Sequence, residues 1–201
     1  MEEEKFLELV GSVDFRDEYG EVCRQLERQI REIGRQMSLL LRRDFIIAVD
    51  WRVKGPKSCA EKLKRKGREL TPENAAERLN DIAGVRVICS FLDDIYLLCE
   101  RLANDFGYQV IKKKDYVKKP KRSGYQSLHL VLGIPRPDGR QIRAEIQLRT
   151  QAMDFWAGVE HHFVYKNDEL PRDVVRKEFR ECAKAIYNLD QKMMSLRDYL
   201  S

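Results

Sequence analysis

The sequence predicts an α+β fold, with short β-strands in the middle of the chain and long helices near both ends. In residues 85–89, Val85, Val87 and Cys89 alternate with Arg86 and Ile88, and this period of two is typical of a strand. Toward the ends, apolar residues recur every three or four positions, which predicts helices over 18–41 and 175–196. A chain of 201 residues is expected to form one domain. Its expected parts are a helical N-terminus, a core and a C-terminal helix, at residues 1–44, 45–166 and 170–200.

The core is expected to alternate strands with shorter helices. The predicted strands cover residues 45–49, 85–89, 108–113, 125–132 and 142–148. The predicted helices cover residues 59–66, 72–79, 92–106 and 151–161. Asp138 and Gly139 favour a tight turn between the last two strands, which are therefore expected to pair as an antiparallel hairpin.

Residues that favour helix ends flank several of these segments. Ser58 is predicted to cap the basic helix that follows it, and Gly67 to end that helix. Thr71, followed by Pro72, marks the start of the next helix, and Thr150 is placed to cap the helix after the hairpin. The helix N-terminus near Ser58 would offer free N–H groups, which favour a phosphate.

The last helix has the most regular pattern in the chain. Its apolar residues have the spacing 4-3-4-3-4-3, which is typical of the seam of a coiled coil. They are Val175, Phe179, Cys182, Ile186, Leu189, Met193 and Leu196. This seam either covers the sheet or makes contacts between subunits, and the sequence leaves both alternatives open.

The charge of the chain is unevenly distributed. The 38 Lys and Arg residues exceed the 33 Asp and Glu residues by five, and the cations are concentrated at residues 52–68 and 112–122. Such clusters favour a polyanionic ligand, namely a nucleotide, a nucleic acid or an acidic membrane. A solvated lysine-rich surface would give the same pattern.

The sequence favours a cytoplasmic protein that does not bind a membrane. No apolar run approaches the roughly 20 residues that span a bilayer. Residues 2–4 are acidic, whereas a signal peptide begins with a basic segment. The five cysteines are scattered without a CxxC pair, which indicates a reducing compartment.

Two acidic residues are associated with predicted strands. Asp81 precedes the strand at 85–89, and Glu145 lies within the strand at 142–148. Two carboxylates can bind Mg²⁺ and the surrounding cations can neutralise a phosphate chain, so the combination fits phosphoryl or nucleotidyl transfer. Arg86 can stack on a base or bind a phosphate from the same strand.

Further candidates surround these acids. Lys62 and Arg65 lie three apart on the basic helix, so they share a face and can contact one ligand. Tyr125 offers a flat ring for stacking on a base and shares a strand face with His129. By the same period, Gln147 shares a face with Glu145.

Six short motifs stand out in the core. They are Arg52-Val53-Lys54, Asp81-Ile82-Ala83-Gly84-Val85-Arg86, Lys114-Asp115-Tyr116, Pro120-Lys121, Gly124-Tyr125-Gln126-Ser127-Leu128-His129 and Ala144-Glu145-Ile146-Gln147-Leu148-Arg149-Thr150. Together they resemble the synthetase motifs of the RelA/SpoT homologues, and in particular the single-domain small alarmone synthetases. Residues 152–157 are more similar to the RelP type than to the RelQ type, which usually has Asn where Asp154 stands.

The resemblance implies an activity, a fold and an assembly. The activity is transfer of pyrophosphate from ATP to the 3′-OH of GDP or GTP, which gives the alarmone ppGpp or pppGpp together with AMP. The fold is a mixed β-sheet of the nucleotidyltransferase-like synthetase type, flanked by helices. Small members of the family are often homotetramers. Nothing in the sequence resembles the hydrolase half of the long relatives, so synthesis without hydrolysis is expected.

The resemblance also implies roles for individual residues. Asp81 and Glu145 would be catalytic and bind Mg²⁺, with Glu145 also acting as the base toward the 3′-OH. The ATP site would consist of Arg52, Lys54, Ser58, Lys62, Arg65 and Arg86. Adenine would lie between Arg52 and Arg86. The GDP or GTP site would consist of Lys114, Lys121, Tyr125, His129 and Gln147, with guanine stacked on the tyrosine.

Two alternatives remain at this point. A toxin-type relative of the same fold would transfer pyrophosphate to the 3′ end of tRNA, and the basic segments would suit a nucleic acid backbone. A non-catalytic RNA-binding protein would use the basic segment 112–122 and would not need Asp81 or Glu145.

Overall fold

The computed structural model describes residues 2–166 and 172–200, which form seven helices and five strands. The elements in chain order are α1 (Glu2–Gly11), α2 (Val13–Leu41), β1 (Ile46–Val53), α3 (Pro56–Arg65), α4 (Pro72–Arg78), β2 (Ala83–Cys89), α5 (Leu92–Asn104), β3 (Gln109–Asp115), β4 (Leu128–Pro135), β5 (Gln141–Thr150), α6 (Gln151–Lys166) and α7 (Arg172–Leu200). The strands form one sheet in the order β1-β2-β5-β4-β3. β2 and β5 are parallel, and all other neighbours are antiparallel. The predicted α+β class with a mixed sheet is confirmed.

The two faces of the sheet have opposite character. One face packs against α2 and α5, and the side chains that β2 and β5 direct there, such as Val87 and Ile146, are fully buried in the core. Each such side chain contributes roughly 1.5–3 kcal/mol by leaving water. Because side chains alternate along a strand, the other face receives Arg86, Glu145 and Gln147, which are only partly buried.

Helix α2 packs closely on β1. It begins at Val13, earlier than the predicted residue 18, because Ser12 caps it by accepting a hydrogen bond from the Phe15 N–H. A Cβ atom at Gly34 would lie 3.1 Å from Ile46 Cδ1 of β1. The glycine inside this helix therefore permits the close approach of helix and strand.

The predicted caps are partly confirmed. Thr71 and Thr150 accept hydrogen bonds from backbone N–H groups three residues later, at 3.1 Å and 3.2 Å. The prediction that Ser58 caps α3 is wrong, because Gly55 is the N-cap and Pro56 is the first helical residue. Proline suits that position since its fixed φ is helical and it has no N–H to leave unpaired.

The strands on the β3 side differ from the prediction. The strand expected at 125–132 begins only at Leu128, and β3 extends to Asp115. A bulge in β3 between Val110 and Lys112 shifts the register, so these two residues do not share a face, as regular alternation along the predicted strand at 108–113 would require. Lys112 instead pairs with Val131 on the polar face.

Helix α7 contacts α5 and α6, and its seam residue Ile186 is partly buried against the hydrophobic core. Among its residues from 174 onward, Ala183 and Asp190 are buried. Three seam residues remain about half exposed, namely Leu189 at 51%, Met193 at 47% and Leu196 at 53%. None of the helices in the described part of the chain is long and apolar enough to cross a membrane. The division of the chain into three parts stays a prediction, and its boundary at residue 170 lies outside the described residues.

Candidate active site

Two cavities open on the polar face of the sheet. The smaller one, of about 90 Å³, lies over β1, β2 and β5, and we call it the arginine pocket after Arg52 and Arg86 in its lining. The larger one, of about 600 Å³, lies between α3 and strands β3, β4 and β5. We call it the lysine pocket after the lysines in its lining, Lys62, Lys66, Lys112, Lys114 and Lys121. Asp81, Glu145 and Gln147 line both pockets, so the two cavities meet at the two acids.

Asp81 lies in the connection that leads from α4 into β2. Its Oδ2 atom is 2.7 Å from Lys62 Nζ and 3.3 Å from Lys54 Nζ. Its Oδ1 atom is buried and has no hydrogen-bond partner among the described residues. Because buried carboxylate oxygens normally have a partner, this atom points to a ligand from outside the chain.

Glu145 lies in the middle of β5, between β2 and β4. Its carboxylate is 3.3 Å from His129 Nδ1 and accepts a 2.8 Å hydrogen bond from the Gln147 amide. Burial alone would raise the pKa of Glu145, but the hydrogen bond and charge of His129, with smaller effects of Gln147 and Lys62, lower it to about 2. The carboxylate is therefore ionised at neutral pH and suited to a cation, whereas so low a pKa makes it a weak base.

Tyr125 lies three residues before β4 and is held by its hydroxyl group. That oxygen is 2.8 Å from His129 Nε2 and accepts a 2.8 Å hydrogen bond from Arg149 Nη2. Lys121 Nζ lies 4.3 Å from the centroid of the ring. The ring is thus fixed in the wall of the lysine pocket before any ligand arrives.

A charge network connects the two pockets. Arg149 is nearly buried and donates hydrogen bonds to Asp154 at 2.9 Å, Tyr125 at 2.8 Å and Gln147 at 3.0 Å. The same Asp154 oxygen is 3.3 Å from Arg86 Nη1. Asp154 therefore links an arginine of one pocket to the tyrosine and glutamine of the other.

The arginine pocket is built by neighbouring strands. Arg52 of β1 pairs with Gly84 of β2, and Arg86 follows two residues later on the same face. Diagonal neighbours on one sheet face are about 7–8 Å apart, which leaves room for one planar ring between two guanidinium groups. Gly84 has no side chain to fill that space.

Comparison with known proteins identifies the family. A family model described as "Region found in RelA / SpoT proteins" matches residues 51–170. The GTP pyrophosphokinase YwaC of Bacillus subtilis is 39% identical over 176 residues, which cover 86% of this chain and 83% of the relative. This chain belongs to the RelA/SpoT family. A second relative, the GTP pyrophosphokinase YjbM of Bacillus subtilis, is 36% identical over 152 residues, which cover 74% of this chain and 71% of the relative.

Solved structures place this family member among the small alarmone synthetases. Small alarmone synthetase 1 from Bacillus subtilis, bound to its product pppGpp, matches with a TM-score of 0.80 and 31% identity, covering 93% of this chain and 96% of that chain. A GTP pyrophosphokinase family protein from Streptococcus pneumoniae matches with a TM-score of 0.80 and 34% identity, covering 93% of each chain. The predicted family is thereby confirmed.

The structure brings most of the predicted site residues of this RelA/SpoT protein together. All five predicted for the GDP or GTP site line the lysine pocket, namely Lys114, Lys121, Tyr125, His129 and Gln147. Of those predicted for ATP, Arg52 and Arg86 line the arginine pocket, Lys62 and Arg65 line the lysine pocket, and Lys54 contacts Asp81. Ser58 is exposed in the first turn of α3 and lines neither pocket. The roles of these residues stay predictions.

Several residues of the site were not among the site residues predicted from the sequence. Arg149 follows Gln147 by two positions in β5, so the strand period could have placed it on the polar face. Lys112 precedes Lys114 by two positions in the same way. Asp154 carried no such signal, because its contact with Arg86 joins distant parts of the chain.

The two acids fit a magnesium ion. In the described parts of the chain, no group of three or more His, Cys, Asp and Glu side chains could hold a metal. Mg²⁺ is commonly bound by only one or two carboxylates and completes its coordination with substrate phosphates and water. The unpartnered oxygen of Asp81 and the ionised Glu145, which line the same cavities, suit this mode.

Proposed function

We infer that this RelA/SpoT protein is a GTP pyrophosphokinase, which transfers pyrophosphate from ATP to the 3′-OH of GDP or GTP and so makes ppGpp or pppGpp. The observation that carries this inference is the meeting of two pockets of different chemistry at Asp81 and Glu145. The arginine pocket suits the donor nucleotide, and the lysine pocket suits the acceptor nucleotide. Both Bacillus subtilis relatives are GTP pyrophosphokinases.

For the donor side, we propose that the adenine of ATP stacks between Arg52 and Arg86. The triphosphate would then extend toward Asp81, where Lys54 and Lys62 lie within 3.3 Å and 2.7 Å of the carboxylate. These ammonium groups would neutralise the phosphate chain when it arrives. Arg65 lies one helical turn from Lys62 and would add a further contact.

For the acceptor side, we propose that guanine stacks on Tyr125 in the lysine pocket. The hydrogen bond between its hydroxyl and His129, and the one it accepts from Arg149, already fix this ring, so little conformational freedom is lost on binding. Lys114 and Lys121 supply positive charge beside the ring. The ribose would then lie near Glu145, where the two pockets meet.

The reaction joins the two substrates at that meeting point. The 3′ oxygen of the acceptor forms a bond to the β-phosphorus of ATP, and the bond from that phosphorus to the oxygen bridging to the α-phosphate breaks. AMP leaves, and the proton of the 3′-OH passes to a base. We propose that Asp81 and Glu145 hold Mg²⁺, which when bound neutralises charge on the transferred group. The low pKa of Glu145 favours this role over that of the base.

A labelling experiment tests the function. The purified protein is incubated with Mg²⁺, ATP labelled in the γ-phosphate and, separately, GMP, GDP, GTP or tRNA. We expect label in ppGpp with GDP and in pppGpp with GTP, and no release of pyrophosphate from ppGpp when Mn²⁺ is supplied. Label that enters tRNA alone would overturn the proposal in favour of a toxin-type activity. Binding of RNA without transfer to any acceptor would overturn it in favour of a non-catalytic protein.

We further propose that the protein is a homo-oligomer, and by resemblance a homotetramer. The exposed seam residues Leu189, Met193 and Leu196 have the spacing of a coiled coil and would be buried against a second copy. Light scattering coupled to size exclusion should show an oligomer, and Leu189→Glu with Leu196→Glu should reduce its mass. A wild-type protein that is monomeric at micromolar concentration would contradict this.

We also propose that the protein acts in the cytoplasm. Cys23, Cys59, Cys89 and Cys99 are buried free thiols, and Cys182 is an exposed one. Such thiols suit a reducing compartment. Fluorescence microscopy of a tagged full-length chain in its host tests this, and a signal confined to the cell envelope would contradict it.

A further inference from the structure

Asp50 is the third acid in the lining of the arginine pocket, in addition to Asp81 and Glu145. It lies in β1, where it pairs directly with Arg86 of β2. Side chains that are directly opposite each other in an antiparallel pair share a face of the sheet, with Cβ atoms about 4.5–5.5 Å apart. The Asp50 side chain therefore lies on the polar face, next to an arginine of the donor pocket.

The carboxylate of Asp50 is available to a ligand. Within the described part of the chain, this exposed side chain has neither a hydrogen bond nor an ion pair. Its cross-strand neighbour Arg86 forms an ion pair with Asp154 instead, at 3.3 Å. A carboxylate accepts hydrogen bonds from several directions, so Asp50 can accept one from a donor group that enters the pocket.

The strand around Asp50 is anchored to α2 on both sides. The carbonyl of Val49 accepts a hydrogen bond of 3.2 Å from Arg31, and the indole N–H of Trp51 donates one of 2.8 Å to Glu27. Both anchors belong to residues adjacent to Asp50, and side chains alternate between the two faces of a strand. The backbone therefore presents the carboxylate at a fixed place in the pocket before a nucleotide binds.

The position of Asp50 along β1 indicates which part of the donor it meets. Lys54, Arg52 and Asp50 follow one another at two-residue intervals, so Asp50 lies roughly 13 Å along the strand from Lys54. Lys54 Nζ is 3.3 Å from Asp81, at the end where the proposed function places the triphosphate. A purine held between the two arginines, with its triphosphate toward Lys54, directs the base edge that lies away from the ribose toward Asp50.

Stacking between two arginines does not by itself select a base. Every purine has a flat face that can stack on a guanidinium group. Adenine carries an amino group at C6, which donates hydrogen bonds, whereas guanine and hypoxanthine carry an oxygen there, which accepts them. Because a carboxylate can only accept, it distinguishes these two kinds of base edge.

We propose that Asp50 selects the base of the donor nucleotide: its carboxylate accepts a hydrogen bond from the 6-amino group of adenine and repels the 6-oxo group of guanine or hypoxanthine. This inference rests on the proposed function, because it needs the donor base between Arg52 and Arg86. A site that hydrogen-bonds its substrate rejects an analogue that leaves its polar group unpaired. ATP is thereby favoured as the donor, although GTP is bound next to it as an acceptor.

Steady-state kinetics with two donors tests the proposal. ATP or inosine triphosphate (ITP), whose base carries the 6-oxo group, is supplied with Mg²⁺ and saturating GDP, and the release of AMP or IMP is measured by chromatography. We expect Asp50→Asn to lower the ratio of kcat/KM for ATP to kcat/KM for ITP by about tenfold or more. Asp50→Ala should lower kcat/KM for ATP and should not lower it for ITP.

The matched control is Asp44→Asn. It removes the same charge from an exposed residue just before β1 that lines neither the arginine pocket nor the lysine pocket. This variant should keep the wild-type ratio of ATP to ITP. The Asp50 side chain is exposed and has no partner to lose, so its variants are expected to fold, and circular dichroism checks this.

The possible results separate this inference from the proposed function. If the wild type releases no AMP in the presence of GDP, the proposed function itself is wrong. If it releases AMP but uses ITP as well as ATP, or if both Asp50 variants keep the wild-type ratio, Asp50 does not select the base and the function stands. Equal losses with both donors would also contradict the inference, in favour of a contact with the ribose. An equal fall in the ratio for Asp44→Asn would contradict it in favour of a general effect of charge.

Discussion

The arginine pocket and the lysine pocket share two acids but are built in different ways. In the arginine pocket, Arg86 is 41% exposed and Asp154, with which it forms an ion pair, is 3.3 Å away. In the lysine pocket, Tyr125, His129 and Glu145 are joined by contacts of 2.8 Å and 3.3 Å. The lysine pocket is therefore preorganised, whereas the arginine pocket is held together more loosely.

The largest effect is expected at the acids that both pockets share. Asp81→Asn and Glu145→Gln keep the size of each side chain but remove the charge that would hold Mg²⁺, so transfer should fall by about 10³-fold or more. The labelling assay measures the loss, and circular dichroism and thermal melting check that the fold is kept. Substantial transfer by either variant would show that the acid it lacks is not a magnesium ligand.

Preorganisation of the lysine pocket predicts a pH effect on stability without any substrate. The pKa of Glu145 is depressed to about 2 from 4.5, so its ionised form stabilises the folded state at every pH above its unfolded value. This contribution, on the order of 3 kcal/mol, is lost as the pH falls from about 5 toward 2. Urea unfolding should therefore show Glu145→Gln to be less stable than the wild type at pH 6, with a difference that shrinks toward pH 3. A difference that does not change with pH would contradict the paired carboxylate.

The Tyr125 ring should matter to the acceptor and not to the donor. Tyr125→Ala removes the stacking surface, and the KM for GDP is expected to rise by about tenfold or more while the KM for ATP changes little. Tyr125→Phe is the matched control, because it keeps the ring and loses only the hydroxyl contacts to His129 and Arg149. Equal increases in KM for both substrates after Tyr125→Ala would show that guanine does not stack there.

The face of Glu145 could be predicted from the sequence because strand periodicity decides which face a side chain occupies. Glu145 and Gln147 follow that rule, and both line the two pockets. The alternation failed in β3, since a bulge inserts a residue and moves Lys112 onto the polar face. Bulges depend on the partner strand, and a single sequence does not show the partner.

Helix ends and helix partners show the same limit. Ser58 has the chemistry of a cap, but Pro56 and Gly55 begin α3 before it. The heptad of α7 was visible from spacing alone, yet the residues that it buries within the chain include Ala183 and Asp190, which are not part of the heptad. Spacing identifies an apolar stripe, whereas the neighbouring elements decide how much of it the chain itself covers.

The smallest expected effect concerns the link between the pockets. Asp154→Asn keeps the shape of the side chain but removes the charge between Arg149 and Arg86, which leaves the buried Arg149 without an anionic partner at that position. The arginine would then hold Tyr125 and Gln147 less firmly, and Arg86 would lose its contact. We therefore expect the KM for ATP and the KM for GDP each to rise by about threefold to tenfold.

The coupling between the substrates gives a sharper readout than either KM. In the wild type, a non-hydrolysable ATP analogue should bind more tightly when GDP is present, because both ligands favour the same arrangement of Arg149 and Asp154. In Asp154→Asn, the ratio of the analogue's affinity with GDP to its affinity without GDP should be close to one. Asp93→Asn is the matched control, since it breaks an ion pair with Arg197 between α5 and α7 that lines neither pocket. If Asp154→Asn weakens one substrate alone and leaves the ratio of affinities unchanged, the two pockets bind their nucleotides independently and the loose donor side is not organised through the acceptor side.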